Sequence, residues 1–236
     1  MKTLILLALV LQGLVAYAGT PKEVQVPIED VYSPIGFDSN DSSEIIITGW
    51  LPNLCHKAPK TELTVKGNNI DIKVTALHYH QTNPFCPELI VPFTETVHVG
   101  LLDKGVYNIT VNKKSIFEKK STIKINEATS SAIDNYIYAN VEFVDKGIDP
   151  AKNIVALKGY NPSDCLELEE VKFVSNKNNA YSVLPIMKQV RDFCPMKMMP
   201  FSYEVEVPTS IQKNKVLLHV RVMDGKSVNT IYNKNL

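Results

Sequence analysis

Three groups of side chains in this sequence have types and spacings that could do chemistry. Asp38, Asn40, Asp41 and Glu44 crowd oxygen ligands into one short stretch, which a hard cation such as calcium would accept. The spacing is not that of an EF-hand and no glycine follows at the tight-turn position; Asx-turns explain Asp and Asn here without a metal. His78 and His80 are two apart on an expected strand, so both imidazoles would share one face, with His56 next to Cys55 nearby. Such a pair could hold zinc or copper, although no third ligand is evident. Met196, Met198 and Met199 follow Cys194-Pro195, and Met187 lies upstream. Thioethers suit Cu(I) and methionine clusters form adaptable contact surfaces, but gap-filling around a disulfide is the most economical reading. Motifs for catalysis are missing: there is no G-x-S-x-G, no H-E-x-x-H and no Gly-rich phosphate loop. The expectation is a protein that is not an enzyme and needs no cofactor.

Composition narrows the class. The 236 residues carry 25 Lys+Arg against 25 Asp+Glu. Such balance argues against nucleic-acid binding, which needs clustered cations that acids do not cancel, and against a polybasic membrane-surface protein. At 44% hydrophobic residues the chain can bury a core, so global disorder is excluded. Residues 1–18 read as a secretory signal: Met1-Lys2, an apolar run interrupted only by Gln12 and Gly13, then Ala16-Tyr17-Ala18 as the cleavage site. The run is too short to span a bilayer. Cleavage after Ala18 would leave 218 residues with 24 basic against 25 acidic groups, in a secreted or periplasmic compartment. No later stretch is apolar enough to span, so no transmembrane segment is expected.

The chain also repeats itself. Gly49-Trp50-Leu51-Pro52-Asn53-Leu54-Cys55 lies over Gly159-Tyr160-Asn161-Pro162-Ser163-Asp164-Cys165 at an offset of 110. Cys86-Pro87 matches Cys194-Pro195, and Pro92-Phe93 matches Pro200-Phe201, at an offset of 108. A constant offset that shifts once, by two residues, is the mark of a duplicated unit with one changed loop. We expect domains at 19–127 and 128–236, divided in the polar stretch near residues 125–132. Four cysteines allow three connectivities; two equivalent domains favour Cys55 with Cys86 and Cys165 with Cys194. Loops of about 30 residues without a C-x-x-C read as structural staples.

The hydrophobic period is two. Residues 70–77, 94–99, 106–111 and 202–207 alternate apolar with polar positions, bounded by Gly, Pro and Asn, as in antiparallel sheets. Each unit has room for about seven strands. Helix signals are sparse; the best candidate is a short turn at residues 127–135, joining the units. The segments Gly36-Phe37-Asp38-Ser39-Asn40-Asp41, Leu51-Pro52-Asn53-Leu54-Cys55, Pro92-Phe93 and Gly105-Val106-Tyr107-Asn108-Ile109-Thr110-Val111-Asn112 resemble a group of secreted bacterial immunoglobulin-like domains. The pattern is degraded in the second unit, to Gly147-Ile148-Asp149 and Leu218-His219-Val220-Arg221-Val222. The resemblance implies an all-β fold of two tandem immunoglobulin-like sandwiches and an extracytoplasmic address; it implies no activity. The expected role is a binding or structural module contacting an unknown protein or envelope component, through loops 38–44, 82–85 or 196–199. Metal handling is the alternative, and insertion of a loop into a hydrolase is a third reading.

Overall fold

The computed structural model describes residues 20–79, 85–146, 153–176, 179–211 and 215–233. The signal segment 1–18, His80, residues 82–84 of the expected contact loop and Gly147-Ile148-Asp149 lie outside the described residues. Sixteen strands and no helix make up the described chain; the 127–135 connection is a series of bends rather than a helical turn. Its serines and Asn135 cap no helix because no amphipathic run follows them.

The strands fall into two equivalent sets of eight, one more per unit than the periodicity suggests. In the first unit these are β1 (Lys22–Gln25), β2 (Ile28–Tyr32), β3 (Ser43–Leu51), β4 (His56–Lys66), β5 (Asn69–His78), β6 (Val91–Gly100), β7 (Gly105–Val111) and β8 (Lys119–Ile125). The second unit repeats them as β9 (Ile137–Tyr138), β10 (Val141–Lys146), β11 (Ile154–Asn161), β12 (Leu166–Ser175), β13 (Ala180–Gln189), β14 (Met199–Glu206), β15 (Lys215–Val222) and β16 (Lys226–Asn233). Each unit has a five-stranded sheet, β1-β5-β7-β8 with β4 on β5, or β9, β12, β13, β15 and β16. Each also has a three-stranded sheet, β2-β3-β6 or β10-β11-β14. One parallel pair recurs in both, β5 with β7 and β13 with β15, because the intervening strand crosses to the other sheet. Pairing β to β is thus duplicated strand for strand, as the sequence landmarks imply.

Alternation builds each core. Ile70, Ile72, Val74 and Ala76 of β5 face Ile45, Ile47, Tyr107, Ile109 and Ile123 in one cluster. Val155, Leu157, Val183, Leu218, Val220 and Val222 do the same in the other. Each buried Val, Leu or Ile among them contributes roughly 1.5–3 kcal/mol on leaving water.

The repeated landmarks have physical causes. A Cβ on Gly49 would lie 2.3 Å from the Pro27 carbonyl oxygen, and one on Gly159 2.1 Å from that of Asn140. At both places the chain leading into β2 or β10 crosses directly over the glycine, and the amides of Trp50 and Tyr160 bond to those carbonyls at 3.3 Å. Only glycine allows that approach. Asn112, after β7, sits at φ 50°, a region that Asn tolerates better than most residues. Its buried amide accepts from the Val74 amide at 2.8 Å and donates to the Val26 carbonyl at 3.2 Å, tying β1 and β5 together. Asn112→Ala leaves both groups unpaired and should cost about 2 kcal/mol in urea unfolding. The Tyr107 hydroxyl donates to the Asp103 carbonyl at 3.0 Å; Tyr107→Phe should cost about 1 kcal/mol by the same measurement.

The two units are joined by more than the connection. The outer face of β2 and β3 packs on the outer face of β13, β15 and β16, with Tyr32 and Ile46 against Ala180, Leu217 and Ile231. Burial on both faces explains why β3 and β15 are enclosed along nearly their whole length.

Candidate functional site

The oxygen-rich stretch 38–44 lies at this seam, and its side chains already have partners. Asp38 Oδ1 accepts the Asn40 amide at 2.9 Å, and Asp41 Oδ2 accepts the Asp38 amide at 3.0 Å, so the stretch is an Asx-stabilised turn. The Asn40 side chain donates to the Ser130 carbonyl. Asp41 Oδ1 instead crosses the seam to Arg221 Nη2 at 2.7 Å, and the same nitrogen reaches Asp134 Oδ1 at 2.8 Å. Asp134 Oδ2 accepts the Gly225 amide, anchoring the inter-unit connection to the β15–β16 turn. Arg221 lies over the Phe37 ring at 5.5 Å. Burial disfavours its charge, but Asp41 and Asp134 outweigh that and raise its pKa.

Glu44 belongs to a neighbouring network. Its Oε1 accepts from Ser227 Oγ and from Asn229 Nδ2 at 2.8 Å, and lies 3.1 Å from His219 Nδ1. His219 Nδ1 also lies 2.9 Å from Asn229 Oδ1. Both neighbours are acceptors, so Nδ1 carries a proton, while Nε2 is enclosed without a partner. Burial pushes the Glu44 carboxyl up, but its bonds to His219, Asn229 and Ser227 prevail and hold it at about 2. On the β2 side, Lys215 pairs with Glu29. These carboxylates therefore serve the seam: Asp41 and Glu44 are buried, which removes them from the surface expected to meet an external partner.

His78 stacks on His56, ring centroids 4.3 Å apart and planes nearly parallel, with His56 Nδ1 2.8 Å from Asn53 Oδ1. Burial and the neighbouring His78 lower the His56 pKa. Among the described residues, no three His, Cys, Asp or Glu converge as a metal would require.

The cysteines pair as the repeat implies, Cys55 with Cys86 and Cys165 with Cys194, Cα atoms 5.4 and 5.5 Å apart. Each bridge ties the turn after β3 or β11 to the loop before β6 or β14, at one end of its sandwich. The Tyr79 amide bonds to the Cys55 carbonyl and the Val190 amide to the Cys165 carbonyl, both at 2.9 Å. Two disulfides of this kind belong to a chain folded in an oxidising, extracytoplasmic environment.

Held on these bridges are two apolar fingers. Phe85 precedes Cys86 and is 78% exposed, with Leu89 and Ile90 exposed beyond it; Phe193 precedes Cys194 and is 82% exposed, followed by Met196 at 94% and Met198 at 63%. Met187 is buried in the core, but Met196 and Met198 fill no gap; Met199 begins β14, partly covered. They stand in water because the loop is fixed by its disulfide and by bonds such as Ser163 Oγ to the Pro195 carbonyl, which hold the chain away from the sheets. Phe-Cys-Pro recurs in both halves of the sequence, a signal that the cysteine alignment alone does not convey. The fingers face opposite ways. Arg221, His219 and Leu217 of β15 meet Asp41, Glu44 and Ile46 in turn, so β15 runs antiparallel to β3 across the seam. Finger one lies beyond the end of β3; finger two lies beyond the end of β13, which is parallel to β15.

One cavity opens beside the seam. It encloses about 430 Å³ between β8, the inter-unit connection, β13 and β15, and is lined by Asp38, Lys124, Tyr136, Tyr138, Leu184 and Arg221 among others.

Residues 45–125 match the family model of the ORF11 beta-sandwich domain. That span runs from inside β3 to the last residue of β8. The second unit repeats the same strand pairing outside the match. No curated protein and no solved structure matches the chain.

Proposed function

We propose that this chain is an extracytoplasmic, non-catalytic binding module: two sandwiches locked side by side, with an apolar contact finger at each end. The observation that carries this reading is the pair of Phe-Cys-Pro fingers, whose rings at Phe85 and Phe193 are 78% and 82% exposed on disulfide-fixed loops. Exposed aromatic and methionine side chains on a rigid support are the usual anchors of a binding surface. Ordering costs little on binding because the bridges have already fixed the loops. The buried charged groups are committed to one another across the seam, which supports a structural rather than catalytic use of them. A signal peptide at 1–18 cleaved after Ala18, domains at 19–127 and 128–236 and secretion or periplasmic residence complete the proposal. The immunoglobulin-like reading of the first unit draws support from the Tyr107 hydroxyl bonding back to Asp103, as in a tyrosine corner; the second unit follows by its duplicated strand pairing.

The test is site-specific photo-crosslinking in the native envelope fraction, with the photoreactive residue at position 85 or 193, or at the exposed sheet position Asn108. Adducts confined to the fingers, and lost when the other exposed apolar residues of that finger become serine, support the proposal. Equal labelling from Asn108, or none from either finger, overturns it.

A further inference from the structure

We propose that the outer edge of β4 in one copy of this chain pairs with the outer edge of β12 in a second copy, so that copies join head to tail. This surface is separate from the fingers and does not depend on them. β4 pairs with β5 and β12 with β13, and among the described residues neither has a strand on its other side. The two strands hold the same place in the two units, and each carries a bulge near its start, between Lys57 and Lys60 or between Leu168 and Glu170. An outer edge of this kind offers a row of backbone donors and acceptors to another chain. Bulges and charges limit indiscriminate pairing there, and both strands carry them.

The charges on the two edges are of opposite sign. Lys57, Lys60 and Glu62 of β4 occupy the positions that Glu167, Glu170 and Lys172 hold in β12. Their cross-strand neighbours, Leu77, Thr75 and Lys73 in β5 and Lys188, Ile186 and Leu184 in β13, match at a single offset. All three signs are thus reversed between the units. β4 carries Lys57, Lys60 and Lys66 against Glu62, which is two net positive charges. β12 carries Glu167, Glu169 and Glu170 against Lys172, which is two net negative charges. Behind these strands Asp71 and Lys73 of β5 cancel, and Lys188 of β13 offsets one acid. Lys60 lies 3.5 Å from Glu62 and Lys172 2.7 Å from Glu170, but both pairs are largely exposed and hold their members weakly.

Charge decides the partner. Like edges repel and unlike edges attract, which selects the second unit of another copy as the mate of the first. Equivalent edges meet about a two-fold normal to the sheet, so antiparallel pairing keeps both cores on one side of the joined sheet. With Leu63 opposite Val171, Glu62 falls opposite Lys172 and, past the β12 bulge, Lys66 falls opposite Glu167. No like charges then stand directly opposite each other. Val65 and Val174, 40% and 37% exposed, gain cover towards the two ends of the match. Because the two surfaces differ, the contact is heterologous, and a joined pair still presents one β4 edge and one β12 edge to further copies.

Sedimentation velocity tests this on protein beginning at Gly19, which lacks the apolar segment 1–18 and contains every described residue. In about 20 mM salt the wild-type sedimentation coefficient should rise with concentration past that of a dimer by about 500 µM, and about 500 mM salt should weaken the association at least about tenfold. Two double variants carry the charge test: Lys57→Glu with Lys60→Glu, and Glu167→Lys with Glu170→Lys. Each alone should stay monomeric, and an equimolar mixture of the two should assemble again. All four positions are exposed, so melting temperatures should not change. A wild type that stays monomeric at about 500 µM in low salt overturns the proposal. So does a double variant that assembles alone as the wild type does, or a mixture that stays monomeric. Association through the fingers would persist in both variants and would not weaken with salt, so the two readings fail separately.

Discussion

Arg221→Met should lower unfolding stability by about 3–5 kcal/mol, the loss expected when one partner of a buried ionic group is removed. The reason is what remains. Asp41 and Asp134, with side chains 4% and 12% exposed, would face each other without the guanidinium that now lies 2.7 and 2.8 Å away. Neither can turn to water, because Asp41 also accepts the Asp38 amide and Asp134 the Gly225 amide. Methionine fills much of the arginine's volume, so the loss is electrostatic rather than a cavity. Urea unfolding checks the magnitude. Combining Arg221→Met with Asp41→Asn and Asp134→Asn removes the stranded charges and should recover at least half of the loss. Limited proteolysis should also cut the connection 127–136 faster in the single variant, since Asp134 pins it. A single variant within about 1 kcal/mol of wild type would mean that the triad does not hold the units together.

The sandwiches were legible in sequence because alternation and turn residues are local. Residues 70–77 show one face in and one out, and β5 is built so. The cysteine pairing followed from duplication, which needs no geometry. The seam was not legible in the same way, since its partners lie up to 186 positions apart, as with Lys215 and Glu29. One trace existed. The strand 215–222 reads Lys-Val-Leu-Leu-His-Val-Arg-Val, where its counterpart β7 alternates with Asn108 and Thr110 facing out. What looks like decay of the repeat is a strand covered on both faces: Leu217, His219 and Arg221 replace a solvated face because β3 lies against it. The same holds for Glu44-Ile45-Ile46-Ile47-Thr48, whose consecutive isoleucines serve a core on one side and the seam on the other. Asp41 and Glu44 looked like cation ligands because a sequence shows acceptors together and cannot show the arginine and histidine 180 and 175 positions away that satisfy them. The fingers were legible only in part: loops 82–85 and 196–199 stand among the expected contacts, but Phe193 does not, and the methionines read most economically as gap-filling. Phe and Met are assigned by default to cores, and only the fixed loop shows them turned outward.

Glu44 should make the stability of the whole chain fall in acid. Its carboxyl is 5% exposed and is held at about 2, against an ordinary value of 4.5, by bonds from Ser227, Asn229 and His219. The other titratable neighbour is His98, whose Nδ1 lies 3.7 Å from Oε2 on the solvent side. Because the folded pKa lies below the unfolded one, the folded state favours the ionised carboxylate. The stabilisation is therefore complete above about pH 4.5 and is lost as pH falls from there towards 2, amounting to roughly 3 kcal/mol. Other carboxylates titrate in the same range, so the decisive quantity is a difference between proteins. Glu44→Gln keeps an oxygen acceptor for Ser227 and Asn229 and loses only the charge. Urea unfolding should find this variant about 2–3 kcal/mol less stable than wild type at pH 7 and within about 1 kcal/mol of it near pH 2. A gap that stays constant between the two conditions would show that the glutamine costs stability through packing, and that the seam draws nothing from the Glu44 charge. A gap that closes would assign roughly 3 kcal/mol of the acid sensitivity of the two-unit body to one carboxylate, at the strand that both units bury.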